Sequence, residues 1–231
     1  MPTSVDYSGY FQQMLGGVSI TVQMLLWSFV ISLAIGTVFG ILRTGASGVV
    51  QIPLTIYISI MTGVPSLLIL FIIYYGGSGV LTALLGYDRS FDVSPFSSGV
   101  AAIAMVNAAY VCDLVHGAIR NLPKGQFEAC TVLGLPRFHA WRLILLPQVF
   151  RLALPGLVNI WIIILKETSL VSLVGLSDLV TVAKTAGGAT SEPFVFLIVA
   201  SFFYIAMSTL TVPLANRLER RLNRGQTPVG A

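Results

Sequence analysis

The run VSITVQMLLWSFVISLAIGTVFGIL, Val18 to Leu42, contains no charged side chain and ends against Arg43. It lies inside a longer charge-free stretch, residues 7–42, and three more follow at 44–87, 93–112 and 193–216. An α-helix rises about 1.5 Å per residue, so roughly 20 apolar residues cross the ~30 Å hydrocarbon layer of a bilayer. Several of these runs reach that length. The 231-residue chain is 55% hydrophobic and 10% charged, whereas a soluble domain carries about 25% charge. A water-soluble fold would need a polar shell that this composition does not provide. The expected class is therefore an all-α integral membrane protein, one transmembrane domain over residues 1–231.

Five spans are expected. The first is Val18–Leu42 and the second lies within 52–76. Pro53, Gly63 and Pro65 predict a kink or a separate short helix in the second. The third is expected at 98–119, the fourth at 155–178 and the fifth at 194–216. The fourth is the least regular, because Lys166 and Glu167 interrupt it. The amino-terminal MPTSVDYSGYFQQML has no basic region before an apolar run, so it does not read as a cleaved signal peptide. Cys112 and Cys130 fall in unrelated contexts and predict neither a disulfide framework nor a metal site.

Five spans place the termini on opposite sides. One set of loops holds Arg43, then Arg120, Lys124, Arg137, Arg142 and Arg151, then Arg217, Arg220, Arg221 and Arg224, ten of the thirteen basic residues. The other set holds Arg89 and Lys184. Positive loops stay in the cytoplasm, so the N-terminus is expected outside. The segment 120–151 and the basic tail 217–231 are then cytoplasmic. The net charge of +4 is an orientation signal rather than a nucleic-acid footprint, and the tail can also meet anionic lipid.

The cytoplasmic segment reads RNLPKGQFEACTVLGLPRFHAWRLILLPQVFR. Asn121 is expected to cap a helix opened by Leu122-Pro123, with Lys124 and Glu128 on one face. Gly134 permits a left-handed turn. A second short helix is expected from Leu135-Pro136, with Phe138, Trp141 and Leu145 on an apolar face, ended or kinked by Pro147. Apolar helix surface in the cytoplasm calls for a protein partner, or for lipid if the hairpin lies on the membrane.

Glu128-Ala129-Cys130, then Gly134, Ile144 and Leu146-Pro147, resembles the EAA signature of the membrane-spanning subunits of bacterial ATP-binding-cassette importers. That signature reads Glu-Ala-Ala, three residues, Gly, nine residues, Ile, one residue, Leu-Pro. Cys130 is the one departure, a small residue where the family has a second alanine. The stretches TGVPSLLILFIIYYG (62–76), AAYVCDLVHGAI (108–119), LPQVFRLALPGLVNIWIIILKETSLVSLVGLSDL (146–179) and EPF (192–194) extend the resemblance over nearly the whole chain. They are similar to the polar amino acid branch, and within it to permease subunits for histidine, lysine, arginine and ornithine or for opines.

The resemblance implies a multi-pass protein of the bacterial inner membrane, working with a second permease chain, identical or homologous. Two ATPase subunits and a periplasmic solute-binding protein complete the implied assembly. The EAA helix would seat in a groove of an ATPase, with Glu128 orienting it through polar contacts and with Ala129 and Cys130 as small residues of the same coupling helix. Gly134 would allow the turn, and Leu133, Leu135 and Phe138 would supply apolar contacts. The chain itself has no G-x-x-x-x-G-K-[ST] phosphate loop. It is expected to hold no cofactor, with ATP and Mg²⁺ bound by the partners, and not to be an enzyme.

Charge at membrane depth is costly and points to function or pairing. Lys166 and Glu167, with Thr168 and Ser169, are the expected lining of a solute path, joined by Tyr57 and Ser66 from the second span. Neighbouring side chains on a helix diverge by about 100°, so Lys166 and Glu167 need not share a role. Asp113 is expected to pair with a basic residue or with His116. The transported solute is expected to be a basic amino acid or an opine. The competing reading is a stand-alone secondary transporter or channel for a small polar solute.

Overall fold

The computed structural model describes residues 7–45, 47–85 and 93–222. Arg89 and the end of the basic tail from 223 lie outside the described residues. The described chain is helical: α1 (Tyr7–Gly45), α2 (Gly48–Gly63), α3 (Ser66–Leu85), α4 (Pro95–Arg120), α5 (Lys124–Val132), α6 (Arg137–Ala140), α7 (Leu146–Glu167), α8 (Leu179–Thr190) and α9 (Pro193–Leu222). A π-helical turn, Trp141–Leu145, joins α6 to α7, and a 3₁₀ segment, Thr168–Val174, follows α7.

Four helical stretches are long and apolar enough to cross a membrane: Ser8–Gly45, Pro95–Arg120, Arg137–Val174 and Pro193–Pro213. The expected second span is a bent pair, α2 and α3, meeting at 105°, in line with the kink or separate short helix expected there. The cause is local. Val64 lies extended (ψ 134°) ahead of Pro65, because a proline disfavours helical backbone in the residue before it.

The centre of the bundle is the α1–α4 pair, the most extensive helix contact in the fold. Gly17, Thr21, Met24, Ser28, Ser32, Gly36 and Gly40 recur at three- and four-residue spacing along α1, and all are buried. Lipid gives helices no hydrophobic reason to associate, so small residues that let backbones approach carry the packing. A Cβ on Gly36 would lie 2.5 Å from the Val111 Cβ, and one on Gly40 2.8 Å from the Val115 Cβ. Two of the buried hydroxyls on this face are satisfied within the helix, while that of Ser28 has no hydrogen-bond partner. Thr21 Oγ1 donates to the Gly17 carbonyl at 3.0 Å and Ser32 Oγ to that of Phe29 at 2.9 Å. Around the pair, Met24, Val106, Val111, Val115, Ile164 and Leu165 form the main core.

α4 starts as its sequence directs. Ser94 caps it, its Oγ accepting from the Ser97 amide at 3.1 Å, and Pro95 occupies the first turn. At its other end Asp113 pairs with Arg43 of α1, and His116 Nδ1 lies 2.8 Å from Thr44 Oγ1. The basic partner of Asp113 is thus Arg43, not His116.

Two boundaries differ from expectation. Asn121 caps the end of α4, its amide reaching the Gly117 carbonyl, and does not open α5. Pro147 does not end a short second helix. The π turn, in which the Leu146 amide reaches the Trp141 carbonyl, accommodates the proline, and the chain runs on to Glu167. The helix of the expected fourth span therefore begins at Arg137 rather than near 155. Unforeseen in the sequence, α8 packs between α1 and α9 in a second cluster of Met14, Leu179, Ala183, Ala186, Phe196 and Ala200. Asp178 caps it through the Thr181 amide at 3.0 Å, and burial pushes this carboxyl above its ordinary range.

Candidate functional site

Two places stand out, at opposite ends of the rod formed by α6, the π turn and α7. The first is the end of α7. Glu167 Oε1 accepts from Ser66 Oγ at 2.6 Å, and its Oε2 accepts from Asn107 Nδ2 at 2.6 Å. Three elements far apart in the chain meet here. Ser66 opens α3 at the 105° bend, Asn107 is buried in the middle of α4, and Glu167 ends α7. Asn107 Nδ2 also donates to the Ile103 carbonyl at 2.9 Å, while its Oδ1 is buried with no hydrogen-bond partner. The part-buried carboxylate and the buried, unpartnered amide oxygen offer acceptors and no donor.

Of the expected path residues, the structure brings Ser66 and Glu167 together and disperses the rest. Lys166 is exposed, pointing away from its neighbour as helix geometry requires. The Thr168 hydroxyl donates to the Leu165 carbonyl at 2.7 Å and that of Ser169 to Lys166 at 2.7 Å. Both bond carbonyls in the last turn of α7. Tyr57 packs edge-on against Phe39 and donates to the Met105 carbonyl at 2.5 Å, which anchors α2 to α4. Sequence reasoning missed Asn107 as a site residue. The available signal was one amide in an alanine- and valine-rich span, since a buried polar group in such a helix requires a partner.

The second place is the α5 turn. The Leu135 amide bonds the Cys130 carbonyl at 3.1 Å and the Gly134 amide that of Thr131 at 3.0 Å, with Gly134 at φ +63°. This is the Schellman arrangement, and it needs a residue without a Cβ at its left-handed position. Cys130 is buried, as a packing residue would be, while Glu128 and Ala129 are exposed. Leu133 is 71% exposed and Phe138 67%, but Leu135 is half-buried. Val132, not singled out in the sequence, is the barest of the group at 86%. Together they form an apolar cap projecting from the end of the rod, beside the Glu128 carboxylate.

The family model for the binding-protein-dependent transport system inner membrane component matches residues 12–224. The histidine/lysine/arginine/ornithine transport system permease protein HisQ of Salmonella typhimurium is 34% identical over 94% of this chain and 96% of its own. The octopine transport system permease protein OccQ of Rhizobium meliloti is 32% identical over 94% and 93%. Among solved structures, an amino acid ABC transporter crystallised with histidines superposes with a TM-score of 0.78 at 26% identity, over 96% of this chain and 100% of that one. The MetNI methionine ABC transporter shares the fold, with a TM-score of 0.74 at 16% identity over 92% and 97%. An all-α, multi-pass chain matched along almost its whole length in this way belongs to the ABC-transporter permease subunits of the polar amino acid and opine family, a non-catalytic family of the inner membrane.

Proposed function

We propose that this chain moves a cationic amino acid or an opine across the inner membrane, and that ATP hydrolysis on partner subunits drives it through α5. The observation that carries the reading is the Glu167 carboxylate, held by Ser66 and Asn107 with the Asn107 Oδ1 left unpartnered. A guanidinium or ammonium group would pair with the part-exposed carboxylate and be neutralised at depth, where an unpaired charge is costly.

Ten of the thirteen basic residues support an N-out, C-in arrangement with the bent pair counted as the fifth span. In that arrangement the cap of Val132, Leu133 and Phe138 faces the cytoplasm, where a groove on an ATPase can cover it. ATP and Mg²⁺ reside on those subunits. A second permease chain and a periplasmic solute-binding protein complete the assembly, as in the homologous systems. The coupling segment spans 120–151, with Glu128, Ala129 and Cys130 on its helix and Gly134 at its turn.

The test is ATP-dependent uptake by the reconstituted complex across arginine, histidine, glutamine, octopine and nopaline. Uptake of the cationic amino acids or opines is expected. Uptake of glutamine alone overturns the solute class, and gradient-driven uptake without ATPase subunits overturns the coupling. Glu128→Ala is expected to lower coupled uptake about tenfold, the effect of losing one central polar contact at an interface. Wild-type copurification of the ATPases together with wild-type uptake would remove Glu128 from that role.

A further inference from the structure

The rod carrying Glu167 has a π turn, and α5 touches it there. Pro147 has no amide hydrogen, and in a regular helix its ring would strike the carbonyl four residues back, that of Leu143. The π turn Trp141–Leu145 immediately before it takes up this misfit. Such turns are local weak points and recur at functional positions. Gln148, the next residue, uses its side-chain amide twice. Nε2 donates to the Ile144 carbonyl at 3.0 Å and to Gln126 Oε1 of α5 at 3.1 Å. Seven residues earlier, Trp141 meets Phe127 of α5 edge-to-face, with ring centroids 6.4 Å apart. α5 is thus tied to the rod at the first residue of the π turn and just beyond its end. Beyond it the rod runs without a break to Glu167, about 45 Å from Arg137 at helical rise.

We propose that Gln148 is a positioning residue for transport, acting through the Gln126 bridge to make the π turn the joint at which displacement of α5 is transmitted to α7 and its Glu167 end. This rests on the proposed docking of α5 to an ATPase. A displaced α5 with no bridge would pivot at the Gly134 turn and leave α7 behind. With the bridge, the push arrives at a turn of the rod that is already opened. Gln126 and Glu128, two apart on α5, then divide the work. Glu128 faces outward, while Gln126 faces the rod.

The two hydrogen bonds of Gln148 allow a packing role to be separated from a transmitting one. Gln126→Leu cuts the bridge and leaves the bond to Ile144 in place. Gln126→Glu keeps an acceptor facing Gln148. The experiment measures radiolabelled arginine taken up per ATP hydrolysed by the reconstituted complex, with subunit copurification as the check on assembly. Gln148→Leu and Gln126→Leu are each expected to lower this ratio about tenfold, the size of coupling between directly contacting residues. The double variant should fall no further, and Gln126→Glu should retain the wild-type ratio. A wild-type ratio in assembled Gln126→Leu overturns the inference, as does equal loss in Gln126→Leu and Gln126→Glu. A wild-type complex that takes up none of the panel with ATP overturns the proposed function, and the inference falls with it.

Discussion

Glu167→Gln is expected to lower arginine uptake about 30- to 150-fold while the complex still assembles. Glutamine has the shape of glutamate and removes its charge. The Ser66 hydroxyl can turn to donate or accept, so one bond of the site survives and Asn107 keeps its bond to Ile103. What is lost is the anionic partner of the solute. A hydrogen bond to a charged group contributes about 1.5–3 kcal/mol, and 2–3 kcal/mol corresponds to this range of uptake at about 1.4 kcal/mol per tenfold change. The measurement is initial uptake rate against arginine concentration in proteoliposomes, with size-exclusion chromatography to follow assembly. Unchanged uptake in the assembled variant would leave Glu167 as a structural clasp between α3, α4 and α7 and remove the charge from the path.

Gly36→Leu is the largest expected effect on stability. The first added carbon alone would stand 2.5 Å from the Val111 Cβ and 2.7 Å from the Ala108 carbonyl oxygen. The oxygen is backbone in the middle of α4 and cannot rotate away, so α1 must shift. Overpacking costs about 1–3 kcal/mol, occasionally more. Here the cost falls on the contact around which the bundle is built. A fall in melting temperature of about 5–10 °C in detergent is expected for a chain of this size. Gly117→Ala, where an added Cβ meets nothing within 4 Å, serves as the control. It should be neutral or slightly stabilising, since alanine favours helix over glycine by about 0.5–1 kcal/mol. An unshifted melting temperature in Gly36→Leu would mean that α1 is not held where the structure has it.

The two effects differ in how far the sequence anticipated them. Glu167 was legible because a carboxylate inside an apolar run is conspicuous by its cost. Its partners were not. Ser66 is one of many hydroxyls in membrane helices, and Asn107 lies sixty residues from Glu167 in a helix with no other sign of function. Thr168 and Ser169 looked like path residues because they are polar and adjacent to Glu167. Adjacent residues on a helix diverge, and these two close the end of α7. The Gly134 turn was legible in full, since a Schellman ending is local and needs only one glycine in the right place. The tight contact at Gly36 was not, because a glycine in a membrane helix does not announce which backbone approaches it.

Charge-free length by itself determined that this chain is helical and lies in a membrane, because a bilayer leaves the backbone few ways to satisfy its amides. The spacing from Glu128 to Pro147 by itself determined a turn with an apolar cap. Both are properties of contiguous residues. Only the tertiary structure decided that the cap and the Glu167 carboxylate stand at opposite ends of one rod, and that Pro147 opens a π turn in it instead of ending it. It alone decided which buried polar atoms are left without partners. Those outcomes depend on which helices meet, and atoms brought together from sixty or a hundred residues apart leave no periodicity for a sequence to display.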